Sequence, residues 1–143
     1  MTQSCDLEKE DIGLVNMYNC TSNCLFTLKY IPDVYIFSCK FNYAINLKSI
    51  LYSNISNCNI SDRIWLRDIK YIKITKCMFD QKSPIVLSSV ENAIIDFNNN
   101  VVTQTQSILL VYSTRNNTIL IHNNTISNLD TCISFFNPQQ NVE

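Results

Sequence analysis

The chain has 143 residues and a formal net charge of −1, with 46% apolar and 16% charged residues. This composition can bury a core, which excludes a disordered chain, and the balanced charge argues against a nucleic-acid partner. A single Gly excludes a glycine-rich phosphate loop, and a single His argues against histidine-based catalysis or metal binding.

The first predicted element is a polar N-terminal segment, residues 1–11, which is a candidate cap. It has no apolar stretch of the signal-peptide type, and no later segment approaches the roughly 18 apolar residues of a membrane helix. We therefore expect no membrane span. The compartment stays open: the cytoplasm if the chain is complete, and the cell surface or extracellular space if it is a fragment of a longer protein.

Residues 12–136 carry an internal repeat, marked in each copy by one anchor residue. The anchors are four cysteines spaced by 19 residues and then two asparagines at spacings of 23 and 24: Cys20, Cys39, Cys58, Cys77, Asn100 and Asn124. Apolar residues alternate with polar ones around each anchor, as in the frame Ile31-x-x-Val34-x-Ile36-x-x-Cys39-x-Phe41. This alternation predicts a short β-strand before each anchor.

A second apolar-x-apolar element follows each anchor and predicts another short strand. Its six copies are Phe26-x-Leu28, Ile45-x-Leu47, Ile64-x-Leu66, Ile85-x-Leu87, Ile108-x-Leu110 and Ile133-x-Phe135. One copy cannot bury its strands alone, so the copies must stack, with equivalent positions about 4.8 Å apart. A stacked Asn anchor would bond to corner backbone groups, and a stacked Cys would fill the same space as a small apolar residue.

The segments Pro84–Ile95 and Ser113–Ile126 resemble the repeats of right-handed parallel β-helix proteins. The resemblance extends from residue 12 to about residue 136 and implies an all-β, right-handed parallel β-helix (β-solenoid) of about six coils. It also implies kinship with surface and carbohydrate-associated proteins, many of which are sugar lyases or hydrolases. Leucine-rich repeats share part of the frame. We favour the β-helix because the residues after each anchor show no helical period.

Of the seven cysteines, the four at 19-residue spacing predict a ladder of free thiols. Cys20 and Cys24 are the only close pair, and the second pair that a zinc site needs is missing. The odd count and the lack of an export signal favour the reduced state. We therefore predict no metal ligand and no cofactor.

No catalytic residue is predicted. The acids outside the N-terminal segment fall at different positions of the repeat, so no two of them face each other on neighbouring coils: Asp33, Asp62, Asp68, Asp80, Glu91, Asp96 and Asp130. His122 is expected on the surface, with no partner that spacing identifies.

A stripe of cations is the strongest candidate site. The residue after each second-strand Leu is Lys29, Lys48 and Arg67, followed by Ser88 and Val111. The neighbouring outward positions are Thr27, Asn46, Trp65, Val86 and Leu109. We predict a binding surface formed by Lys29, Lys48, Arg67 and Trp65, because stacked cations beside an exposed aromatic suit an acidic ligand. Asp68 is expected to compensate part of this charge, and Tyr52 and Tyr71 to stack.

The functional prediction is a non-enzymatic binding or scaffold module that recognises a protein or a glycan along one face, either by itself or as a fragment of a larger surface protein. One alternative is a fragment of a carbohydrate-active lyase or hydrolase; another is a leucine-rich-repeat interaction protein. If the ends carry no cap, the unpaired strand edges favour end-to-end self-association. Residues 137–143 are expected to form a polar tail.

Overall fold

The computed structural model of this protein describes residues 4–8, 12–80, 85–103, 107–112, 115–127 and 131–136. Their strands form three rows. Row A contains β2 (Leu14–Tyr18), β5 (Asp33–Phe37), β12 (Ile94–Asn98), β15 (Thr118–His122) and the second halves of β7 (Ile45–Ser56) and β9 (Ile64–Thr75). Row B contains β3 (Thr21–Ser22), β6 (Lys40–Phe41), β8 (Asn59–Ile60), β10 (Met78–Phe79), β13 (Val101–Thr103) and β16 (Thr125–Ser127).

Row C contains β1 (Ser4–Glu8), β4 (Leu25–Lys29), the first halves of β7 and β9, β11 (Ile85–Ser88), β14 (Ser107–Tyr112) and β17 (Thr131–Phe136). The strand pairings within the three rows are all parallel. Because β7 and β9 continue from row C into row A, those rows form one sheet of 11 strands, while row B is a sheet of six. The protein is an all-β parallel β-solenoid.

The solenoid has about four turns, and the predicted six coils are not supported. The burial of the anchors gives the physical reason. Cys39, Cys58, Cys77 and Asn100 are buried in four consecutive rungs, whereas Cys20 is exposed and Asn124 is half-buried. The outermost repeats have a neighbour on one side only, so they pair with the rod without enclosing a core of their own.

The core consists of columns in which equivalent residues of successive rungs lie on top of one another. Ile36, Ile55, Ile74 and Phe97 pair in register and are fully buried. Each fully buried side chain of this size contributes about 1.5–3 kcal/mol. The described residues form strands, turns and bends and contain no helix, so the helices of a leucine-rich repeat are absent from them. They also contain no helix long and apolar enough to cross a membrane.

One repeat differs from the predicted register by one residue. Leu109 and Val111 continue the column of Ile85 and Leu87, where the sequence pattern predicts Ile108 and Leu110. The reason is that Ser107, Ile108 and Leu109 are all buried, so the alternation that would fix the register is interrupted.

The corners use left-handed backbone without glycine. The residue before each anchor has a positive φ of 52–55°: Asn19, Ser38, Asn57, Lys76, Asn99 and Asn123. A second corner, between rows C and A, has the same conformation at Tyr30, Ser49, Asp68 and Ser89. Asn, which tolerates this region better than most non-glycine residues, occupies four of these ten positions, and the second corner uses Tyr, Ser and Asp instead.

The structure describes only part of the two predicted end segments. Ser4–Glu8, inside the predicted polar cap, forms β1 and pairs with β4. The predicted polar tail, residues 137–143, lies outside the described residues.

Candidate binding groove

The predicted cations lie in one column of row C. Lys29 pairs in register with Lys48, and Lys48 with Arg67. Ser88 and then Tyr112 continue the column, so the predicted Val111 is wrong by one residue. Neighbouring strands of a sheet lie about 4.8 Å apart, which places like charges close together in this column.

These side chains line a groove on the outer face of row C, which we call the basic groove. It has a volume of about 480 Å³ and is lined by Leu25, Lys29, Asn46, Lys48, Trp65, Leu66, Arg67 and Ser88. The four residues predicted as a binding surface are all among them. A cavity of this size lies within the usual range for small-ligand sites, about 300–1,000 Å³.

Trp65 presents an aromatic surface to the groove and is 39% exposed. The guanidinium of Arg63 lies over its ring, 5.8 Å from the centroid. The side chain of Arg63 forms a salt bridge with Asp62, with Nε 3.1 Å from Oδ1. Arg63 thus packs against the indole, while Trp65 remains partly exposed. Val86 pairs in register with Trp65 and is the next outward residue along that column. It is fully buried, so the predicted apolar strip beside Trp65 is covered at this point.

Lys48 is oriented by an aromatic side chain from the corner. Its Nζ donates to the Tyr30 hydroxyl at 3.2 Å and lies 5.3 Å from the centre of the Tyr30 ring. A cation held over an aromatic face is attracted by the ring quadrupole, by roughly 0.5–1 kcal/mol at exposed sites. These contacts limit the rotamers of Lys48 and direct its charge.

Asp68 is the nearest acid in sequence to Arg67, and it occupies the left-handed corner position that follows this residue. Its Oδ2 accepts a hydrogen bond from Ser49 Oγ at 3.0 Å. This bond joins equivalent corner positions of two rungs. The carboxylate therefore has a structural partner in the neighbouring rung.

The anchors form a continuous hydrogen-bonded ladder. Asn100 Oδ1 accepts from the Cys77 N–H at 2.9 Å, while its amide donates to the Ile74 carbonyl at 2.9 Å and to Asn124 Oδ1 at 3.1 Å. The cysteines repeat this arrangement: the Cys20 N–H donates to Cys39 Sγ, and the Cys39 N–H to Cys58 Sγ, both at 3.4 Å. The thiols thus do more than fill space, which the sequence prediction did not include.

The state of the cysteines differs along the chain. Cys20, Cys39, Cys58 and Cys77 are free thiols, as predicted. Cys24 is disulfide-bonded, so the prediction of a fully reduced chain is wrong at this residue. Burial raises the pKa of Cys39. The neighbouring thiol of Cys58 and burial raise the pKa of Cys77.

His122 has a partner that the sequence analysis missed. Its Nε2 lies 3.2 Å from Asp96 Oδ1, and Asn98 Nδ2 donates to the same oxygen at 2.7 Å. Asn98 pairs in register with His122, so Asp96 lies diagonally across the strand pair. The 24-residue offset between these two rungs aligns His122 with Asn98 and not with Asp96, so the repeat gives no signal for this pair. Tyr52 and Tyr71 stack as predicted, with ring centroids 4.9 Å apart.

No protein family, no curated protein and no solved structure matches this chain. The described part of the chain also holds no group of three or more His, Cys, Asp or Glu side chains arranged to bind a metal ion.

Proposed function

We propose that this protein is a non-enzymatic binding module that recognises an acidic glycan along the basic groove. The observation that carries the proposal is the convergence of Lys48, Arg67 and Trp65 on one groove. Two adjacent rungs supply the cations, and the third side chain adds an aromatic surface of the kind that is enriched at binding sites. Lys29 extends the same surface to a further rung.

The charges of the groove support an anionic ligand. Lys48 and Arg67 are neighbours in register, and their mutual repulsion is relieved when an anion lies between them. The planar guanidinium of Arg67 presents a fork of donors that matches a carboxylate or sulfate. An acidic glycan carries such groups at regular intervals, as the rungs carry their cations.

The position of Trp65 supports a sugar as the carrier of the anion. One side of the indole is covered by Arg63, and 39% of the residue is exposed. An aromatic ring with an apolar body and a polar edge contacts a ligand that is itself partly apolar and partly hydroxylated. A peptide would use the same cations but would depend less on the aromatic ring.

The test is binding to an array of acidic glycans, followed by mutation of the groove. Lys29, Lys48 and Arg67 changed together to Glu should weaken binding about tenfold or more, because three exposed ion pairs of about 0.2–1 kcal/mol each are replaced by repulsion. The matched control changes the exposed residues Lys40, Lys70 and Lys76 to Glu. It alters net charge equally but leaves the groove intact, so glycan binding should be retained.

Two outcomes would overturn the proposal: a parent protein that binds no acidic glycan, and equal loss of binding in the groove and control variants. Binding to acidic peptides alone would replace the glycan with a protein partner. Cleavage of a glycan that stops on mutation of an Asp or Glu would favour the carbohydrate-active alternative.

We also propose that the coils wind in the right-handed sense, as the resemblance to right-handed β-helix repeats implies. Crossovers between parallel strands of one sheet are right-handed in about 98% of cases. A crystal structure that shows left-handed coils would contradict this.

A further inference from the structure

The free thiols at the anchor corner share one orientation. Each S–H donates to the carbonyl two residues earlier in the chain, at 3.2–3.4 Å, in Cys20, Cys39, Cys58 and Cys77. Because the four side chains make the same bond, their sulfurs are related by the step from one rung to the next. Successive sulfurs are therefore about 4.8 Å apart, the spacing of neighbouring strands.

This spacing suits a two-coordinate metal ion better than a disulfide. A disulfide needs its sulfurs at about 2.0 Å, so both side chains would have to rotate out of the orientation that they share in the column. A metal–thiolate bond is about 2.3 Å long, so two thiolates on opposite sides of one ion lie about 4.6 Å apart. The column presents this separation with little rearrangement.

The linear arrangement also selects the kind of ion. A straight column offers two sulfurs to a point between two rungs, and the described residues provide no third ligand of the His, Cys, Asp or Glu type. Zinc in structural sites requires four ligands in a tetrahedron. Soft thiolate ligands favour Cu(I), which accepts two of them.

We propose that Cys20 and Cys39 form a two-coordinate site for Cu(I) or a similar soft monovalent ion. Cys20 is exposed and Cys39 is buried, so the ion reaches this pair from the end of the thiol column. Each thiol releases one proton and forms one sulfur–metal bond, with no change in oxidation state. The Cys20 N–H, which donates to Cys39 Sγ at 3.4 Å, then stabilises the thiolate.

The test is an anaerobic titration of the whole chain with Cu(I), supplied as its acetonitrile complex, followed by thiolate-to-copper absorption and native mass spectrometry. We expect one Cu(I) per chain in the first step. Cys39→Asn should lose this step and remain folded by circular dichroism, because Asn100 and Asn124 show that Asn satisfies the same corner. Cys77→Asn, the matched control two rungs further along, should retain it.

Retention of the first step in Cys39→Asn, equal loss in Cys77→Asn, or no binding by the parent chain would each overturn the proposal. If Cys39→Asn fails to fold, Cys20→Ser at the exposed end of the column replaces it. This variant should also lose the first Cu(I).

Discussion

The solenoid has two kinds of rung, which differ in the side chain that accepts a hydrogen bond from the backbone at the anchor corner. The cysteine-anchored rungs, at Cys20 to Cys77, join neighbouring coils through sulfur bonds of 3.4 Å. The asparagine-anchored rungs, at Asn100 and Asn124, use amide bonds of 2.8–3.1 Å and add a bond between the two side chains. Both kinds satisfy the backbone N–H of the preceding anchor.

The difference shows what each residue type contributes. A thiol is a weak donor and acceptor, but it is buried at little cost because it behaves as a small apolar residue. An amide makes stronger hydrogen bonds than a thiol and has both donors and an acceptor. Its loss therefore leaves several buried backbone groups unsatisfied. The cysteine rungs should therefore depend on packing, and the asparagine rungs on hydrogen bonds.

The largest expected effect comes from removing an asparagine anchor. Asn100→Ala should lower the free energy of unfolding by about 3 kcal/mol, because three side-chain hydrogen bonds of about 1 kcal/mol each are lost from a buried corner. Cys58→Ala should cost about 1–2 kcal/mol, since weaker bonds and one sulfur are removed. Urea unfolding monitored by circular dichroism measures both.

The variant Asn100→Cys is the control for this comparison. It introduces the anchor of the other rungs at the same site, so it should recover part of the loss seen with Ala. Equal destabilisation by Asn100→Ala and Cys58→Ala would show that the two kinds of rung do not differ.

A smaller effect should appear at alkaline pH at a buried cysteine anchor. The pKa of Cys39 is raised by burial above the ordinary thiol value of 9.0. Above pH 9 the unfolded chain loses this proton while the folded chain retains it. The free energy of unfolding should therefore fall by up to about 1.4 kcal/mol per pH unit for this thiol, until the folded pKa is reached.

The measurement is urea unfolding between pH 8 and 10 for the parent and for Cys39→Asn. The variant has no thiol at position 39, so its stability should decline less steeply. Cys20→Asn is the comparison at an exposed anchor. Parallel curves for the parent and Cys39→Asn would contradict the assignment to burial of Cys39.

The sequence predicts the columns well where its spacing is constant. From Cys20 to Cys77 the 19-residue period places Lys29, Lys48 and Arg67 in one column, and the pairing has them there. Past Cys77 the spacing lengthens, and a run of consecutive buried residues hides the alternation. A one-residue error in the predicted register then assigns each side chain to the wrong face of the strand, as it does at Val111 and Tyr112.

The sequence predicts which cations line the groove but not how they are oriented. The common column of Lys29, Lys48 and Arg67 follows from the repeat. The orientation of Lys48 by Tyr30 depends instead on a left-handed corner that the alternation of apolar residues does not reveal. The burial of Val86 at an outward position also has no signature in the repeat. The pair of His122 and Asp96 joins different rungs on a diagonal, which comparison of equivalent positions cannot find.

The smallest expected effect concerns an irregular position within the cysteine rungs. Ser53 lies in the inward column between Val34 and Ile72, is fully buried, and its Oγ has no hydrogen-bond partner. The equivalent position of the first asparagine rung is Ile95. Ser53→Val should raise the free energy of unfolding by about 1 kcal/mol, because an unsatisfied hydroxyl is removed and apolar area is added. Ser53→Thr is the control in urea unfolding, because Thr has the same shape as Val but retains the hydroxyl. If Val and Thr stabilise equally, the gain comes from volume alone, and the cost assigned to the buried hydroxyl is wrong.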